Sequence, residues 1–67
     1  MAYFVFRRND NYVGSMCAES RADADVRTRT YRTPNGGVVS YEIIHETDDW
    51  DEAREVIVTE KKRLSCG

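Results

Sequence analysis

The chain has 67 residues, 40% of them hydrophobic and 33% charged, with ten basic side chains against twelve acidic ones and a net charge of -2. A chain of this length makes one domain, residues 1–67, and buries only about 60% of the surface its unfolded form exposes, so a bound partner can add materially to its stability. The composition is that of a globular chain rather than a disordered or fibrous one, and no run is apolar enough to span a membrane.

Met1 is not followed by a basic segment and an apolar run, so the expectation is a cytoplasmic protein without a secretory signal. Cys17 and Cys66 lie at opposite ends and share no disulfide or metal spacing. They read as reduced thiols, Cys17 as a small hydrophobe within a strand and Cys66 near a mobile terminus. Charge is unevenly spread. Residues 1–33 carry six arginines against four acids, and residues 34–67 carry eight acids against four basic side chains. Either half offers a surface for a partner of the opposite sign.

In chain order, Ala2–Arg7 is aromatic and β-branched and meets Asn9-Asp10-Asn11, residues that tolerate turn conformations. A hairpin closed by those three pairs Phe4 with Met16 and Phe6 with Gly14. One face then collects Ala2, Phe4, Phe6, Met16 and Ala18, and the other Tyr3, Val5, Val13 and Cys17. The first strand is apolar on both sides, as a central strand is, or one covered by something beyond the domain. Residues 18–25 are open between a short helix, for which Ser20 and Asp23 have capping-box spacing, and a plain connection.

Val26–Thr33 alternates with period two and reads as a strand, with Val38–His45 as its partner across Pro34-Asn35-Gly36-Gly37. A three-residue loop with Gly36 left-handed would set Arg29 against Tyr41 and Arg27 against Ile43. A four-residue loop sets Arg29 against Glu42 and turns Arg27, Arg29 and Tyr31 outward, and burial cost favours it. From Asp49 a helix follows, with acids in its first turn, Lys61-Lys62-Arg63 in its last, and Trp50, Ala53, Ile57 and Leu64 on one stripe. The β-branched run Val56-Ile57-Val58-Thr59 leaves a strand from Val56 as the alternative.

These elements predict an α+β fold: two β-hairpins, about four strands in one antiparallel sheet, with the C-terminal amphipathic helix on one face. The other face is expected to be partly open and to expose Tyr3 and Val5 to a partner or a second copy.

No nucleophile elbow, phosphate loop or paired metal ligands occur, so the chain reads as a non-enzyme without cofactor or metal. Two surfaces remain. Glu42, Glu46, Asp48, Asp49, Asp51, Glu52 and Glu55 put seven carboxylates within fourteen residues, an acidic patch suited to a basic protein surface. Arg27, Arg29, Tyr31 and Arg32 form a ribbon that could grip a protein or the phosphates and bases of a nucleic acid. The leading expectation is a protein-binding module of the size and composition phages and mobile elements use to inhibit a host protein by occlusion. A small nucleic-acid-binding protein is the alternative.

Overall fold

A computed structural model, describing residues 1–66, shows an α+β chain with seven elements: β1 (Ala2–Arg8), β2 (Val13–Ala18), α1 (Arg21–Arg27), β3 (Tyr31–Arg32), β4 (Val38–Val39), β5 (Tyr41–Thr47) and α2 (Trp50–Cys66). They form one antiparallel sheet in the order β2-β1-β5 and a separate two-stranded ribbon, β3-β4. None of the described helices is long and apolar enough to cross a membrane.

The first hairpin has the register expected from its turn residues, with Ala2 opposite Ala18, Phe4 opposite Met16 and Phe6 opposite Gly14. Asn11 takes a left-handed φ of 70°, and the loop closes through Arg8 N to Tyr12 O at 2.7 Å and Asn11 N to Arg8 O at 2.9 Å. Because β1 is central, both of its faces are buried. Phe4 packs with Ala18 and Ala24 on one side, while Val5 packs with Val13 and Ala53 on the other.

Residues 18–25 resolve into a helix. The Ser20 hydroxyl accepts from Asp23 N at 3.2 Å, and Asp23 Oδ2 accepts from Glu19 N at 3.4 Å. Ion pairs one turn apart, Arg21 with Asp25 (3.1 Å) and Arg27 with Asp23 (3.4 Å), run along the outside. Ala24 is the residue that α1 buries, and Thr28 ends the helix with its N–H and hydroxyl both donating to Ala24 O.

This helix overturns the expected Val26–Thr33 strand, because Val26 and Arg27 are drawn into α1 and only Tyr31–Arg32 pairs with β4. The preferred register is also wrong. Tyr31 lies opposite Val39 and Arg32 opposite Val38, the pairing of the three-residue loop. Gly36 has φ +84°, Gly36 N donates to Thr33 O at 3.0 Å, and Gly37 N donates to the Thr33 hydroxyl at 3.0 Å. The burial penalty weighed against that loop never arises. The ladder stops after two pairs, and β5 pairs with β1 instead of with residues 26–30. The Asn9 side chain pins the ribbon to the first turn by donating to Val38 O at 2.7 Å, while Asn9 N donates to Ser40 O at 3.0 Å.

β5 carries a bulge: Val5 lies opposite His45 and Phe6 opposite Ile43, so Ile44 is the extra residue. Ile44 joins the Val5 core, and His45 Nε2 reaches Glu52 Oε2 of α2 at 2.7 Å, so two successive side chains serve the α2 face. α2 runs diagonally over that face, from His45 on β5 toward the Val13 end of β2, where Lys61 and Leu64 line a shallow cleft with Tyr12. It stays helical through the β-branched run, as its Ala53, Ile57 and Leu64 stripe, widened by Val56, requires.

The expectation that Tyr3 and Val5 form an open face fails. Val5 is fully buried beneath α2, and Tyr3 packs against Trp50 with ring centroids 5.4 Å apart. The helix chose this face because its stripe meets Val5, Val13 and Ile44 there, while α1 occupies the Phe4 side. Cys17, expected to act as a small hydrophobe, is exposed on an edge strand.

Candidate functional site

The start of α2 is built by short local bonds. The Thr47 hydroxyl accepts from Asp49 N at 3.0 Å, Asp49 Oδ1 accepts from Asp51 N at 3.0 Å, and Ala53 N donates to Asp49 O at 3.1 Å. Asp49 is therefore the N-cap, and acids beside it suit the positive end of the helix dipole. Trp50 opens the helix with one side of its ring on Tyr3 and 46% of its surface exposed. Asp48, Asp49 and Asp51 surround it in sequence, and all three are exposed.

The seven carboxylates of the expected patch do not act as one group. Glu42 sits at the far end of β5 and pairs with Arg7 at 2.8 Å, and Arg7 also lies 3.6 Å from Glu60 of α2. Glu52 is engaged by His45 and by the Thr47 hydroxyl, which together hold its carboxyl below the usual carboxylate range. Asp51 lies 3.9 Å from Arg54. Glu46, Asp48, Asp49 and Glu55 make no ion pair among the described residues. Glu46 lies opposite Phe4, on the sheet face away from α2. What remains around Trp50 is a compact group of Asp48, Asp49 and Asp51, with Glu55 one turn further along α2.

The arginine ribbon is dispersed. Arg27 belongs to α1, where its guanidinium donates to Cys17 O at 3.3 Å and pairs with Asp23. Arg29 lies in the connection after α1, and only Tyr31 and Arg32 stand on β3. The Tyr31 phenol is pushed up by a hydrogen bond with Tyr41. A different cluster, not apparent from spacing, forms at the first turn. Arg8 binds Asp10 through two nitrogens at 2.7 Å each, its guanidinium carbon lies 4.8 Å from the Tyr12 ring centroid, and Phe6 packs edge-on to Tyr41.

Sequence reasoning missed the cross-element contacts of His45 with Glu52, Asn9 with Val38 and Arg7 with Glu42, because they depend on the bulge, on how the ribbon folds back and on which strands are neighbours. The pairs Arg21–Asp25 and Asp23–Arg27 did leave a signal, opposite charges four residues apart. Among the described residues, no three His, Cys, Asp or Glu side chains are grouped to hold a cation. No family model, curated protein or solved structure matches the chain.

Proposed function

We propose that this protein is a non-enzymatic protein-binding module whose contact surface is centred on Trp50 and whose partner presents a basic, partly apolar surface. The observation that carries the reading is the placement of Trp50. A large ring is half exposed on a capped helix start, braced by Tyr3, among three exposed aspartates. Tryptophan in such a setting is a typical binding anchor because it buries much area at little entropic cost, and the surrounding acids steer a basic partner and select it. Glu42 and Glu52 are held by Arg7 and His45, and Glu46 lies on the other sheet face, so the patch consists of Asp48, Asp49 and Glu55 with Asp51, which Arg54 approaches to 3.9 Å.

A preformed patch on a chain this small suits an inhibitor or modulator that works by covering another protein's surface, the mode of many phage and mobile-element proteins. Such a role would place it in the cytoplasm of the cell whose protein it binds. A nucleic-acid reading keeps one supporting observation: Arg29 and Arg32 make no ion pair among the described residues and flank Tyr31, which is 48% exposed. Two arginines and one ring give a small electrostatic footprint. Capture of partners by the tagged protein from its native extract, with and without nuclease and at two salt concentrations, tests both. A stoichiometric protein partner that survives nuclease supports the module. Recovery of nucleic acid that is lost steeply as salt rises replaces it with the alternative.

A further inference from the structure

Among the described residues, neither edge of the three-stranded sheet pairs with a further strand, and the two edges differ in kind. The β5 edge carries Glu42 and Glu46 and is kinked by the bulge at Ile44, three features by which proteins keep edge strands from pairing. The β2 edge, Val-Gly-Ser-Met-Cys-Ala, has no charge, no proline and no bulge. Its backbone phase follows from the turn. Arg8 and Tyr12 are a hydrogen-bonded pair, so by alternation Gly14, Met16 and Ala18 bond to β1, and the N–H and C=O groups of Val13, Ser15 and Cys17 point away from β1, with Val13 buried at the end of α2, Ser15 half-buried and Cys17 exposed. Cys17 O fits this phase, since it accepts from the Arg27 side chain rather than from a strand.

We propose that the β2 edge is a self-association site, where a second copy of this chain adds antiparallel about a two-fold axis at Ser15 to make a six-stranded sheet. Ser15 then pairs with its own mate, and Val13 of each copy, 2% exposed in the single chain, pairs with Cys17 of the other once the side chains at the end of α2 beside it move aside. The Val13 N–H takes over the Cys17 carbonyl that Arg27 occupies in the single chain. A two-fold axis perpendicular to the sheet keeps both α2 helices on one face and closes the assembly, because each outer edge is then a guarded β5.

Charge at the two ends of β2 favours a second copy over an unrelated strand. Glu19 follows the C-terminal end of β2, Lys61 lines the cleft beside Asn11 and Tyr12 at the N-terminal end, and neither makes an ion pair among the described residues. Antiparallel pairing about Ser15 places Glu19 of one copy opposite Asn11 of the other, next to its Lys61, and does so twice by symmetry. This site is separate from the Trp50 surface, so its failure would leave the proposed function standing.

The test is sedimentation of the full chain from micromolar to millimolar concentration with matched variants. Wild type is expected to show a monomer–dimer equilibrium. Ser15→Pro removes an outward N–H that the chain's own sheet does not use, and should give a monomer with an unchanged far-ultraviolet spectrum. Glu19→Lys should weaken the dimer about tenfold, two ion pairs becoming repulsive contacts, and adding Lys61→Glu to it should restore the wild-type constant. As a check independent of Ser15→Pro folding, Ser15→Cys with Cys17→Ser and Cys66→Ser should form a disulfide-linked dimer on mild oxidation. Directly paired residues lie about 5.5 Å apart between Cα atoms, within disulfide reach. A wild type that stays monomeric throughout, or a dimer that neither crosslinks through position 15 nor responds to the charge swap, overturns the proposal.

Discussion

Phe4→Ala is the substitution that reports most directly on how the sheet is covered. Phe4 is fully buried, and its buried neighbours are Ala18 and Ala24, with Ala2, Met16 and Ile43 partly buried around them. Alanines cannot extend into the space a ring vacates, so the cost belongs in the range of about 3–5 kcal/mol for a poorly collapsing site. A chain of 67 residues has a total stability of roughly 3–10 kcal/mol. At about 4–8 °C per kcal/mol for a domain this size, the melting temperature should fall by roughly 12–40 °C. Urea titration followed by Trp50 fluorescence gives the free energy, and hydrogen exchange should show early loss of protection at Ala24 and Thr28, whose N–H groups hold α1 together. Val26→Ser is the paired control. Val26 is 66% exposed on α1, so the change should stay within about 0.5 kcal/mol, whereas a strand with Val26 facing inward would lose far more. A loss below about 1 kcal/mol at Phe4, or one above about 2 kcal/mol at Val26, would refute the docking of α1 on the Phe4 face.

Removing the α1 cap with Ser20→Ala should cost about 1 kcal/mol in urea titration and concentrate the loss of exchange protection in residues 21–28, since the hydroxyl accepts from Asp23 N. Gly36→Ala should cost roughly 1–2 kcal/mol through backbone strain alone, because φ is +84° and an added Cβ meets nothing within 4 Å; the same titration measures it. Acid should destabilise the fold. Glu52 and Glu60 are held below the ordinary 4.5, by His45 and by Arg63 respectively, so each is more acidic folded than unfolded. Their contribution is present above 4.5 and is lost as pH falls through the lower folded values, and Glu52→Gln should flatten the fall in urea midpoint over that window.

Much of the framework is legible in the residues themselves. The Asn9-Asp10-Asn11 turn fixes the first hairpin because Asn11 accepts a left-handed conformation, and the two-sided apolar pattern of Phe4, Val5 and Phe6 marks β1 as central. The acid-rich start and basic end of α2 outweigh its β-branched run, since Val56 and Ile57 earn their helical place by packing on the sheet. Residues 26–33 mislead because their period-two alternation is weaker than the helix seeded at Ser20. That helix carries Val26 and Arg27 along through the ion pair Asp23–Arg27. The choice of face for α2 has no local signature, as both faces of the first hairpin are apolar, and it follows from α1 covering the Phe4 side and the bulge adding Ile44 to the Val5 side. The acidic patch is visible as composition, but which acids are free is not. Glu42 is neutralised by Arg7 only because β1 and β5 are neighbours, a pairing between residues 35 apart in sequence.

The surface around Trp50 is tested most directly by measuring partner affinity for wild type and Trp50→Ala, with Phe4-face residues unchanged and the fold checked by its melting curve. An anchor of this kind is worth at least about 2 kcal/mol, so affinity should fall roughly 30-fold or more, while Asp48→Lys with Asp51→Lys should slow association and remove most of its salt dependence. A partner that binds Trp50→Ala as tightly as wild type, with both variants folded, contradicts the assignment of function to the start of α2.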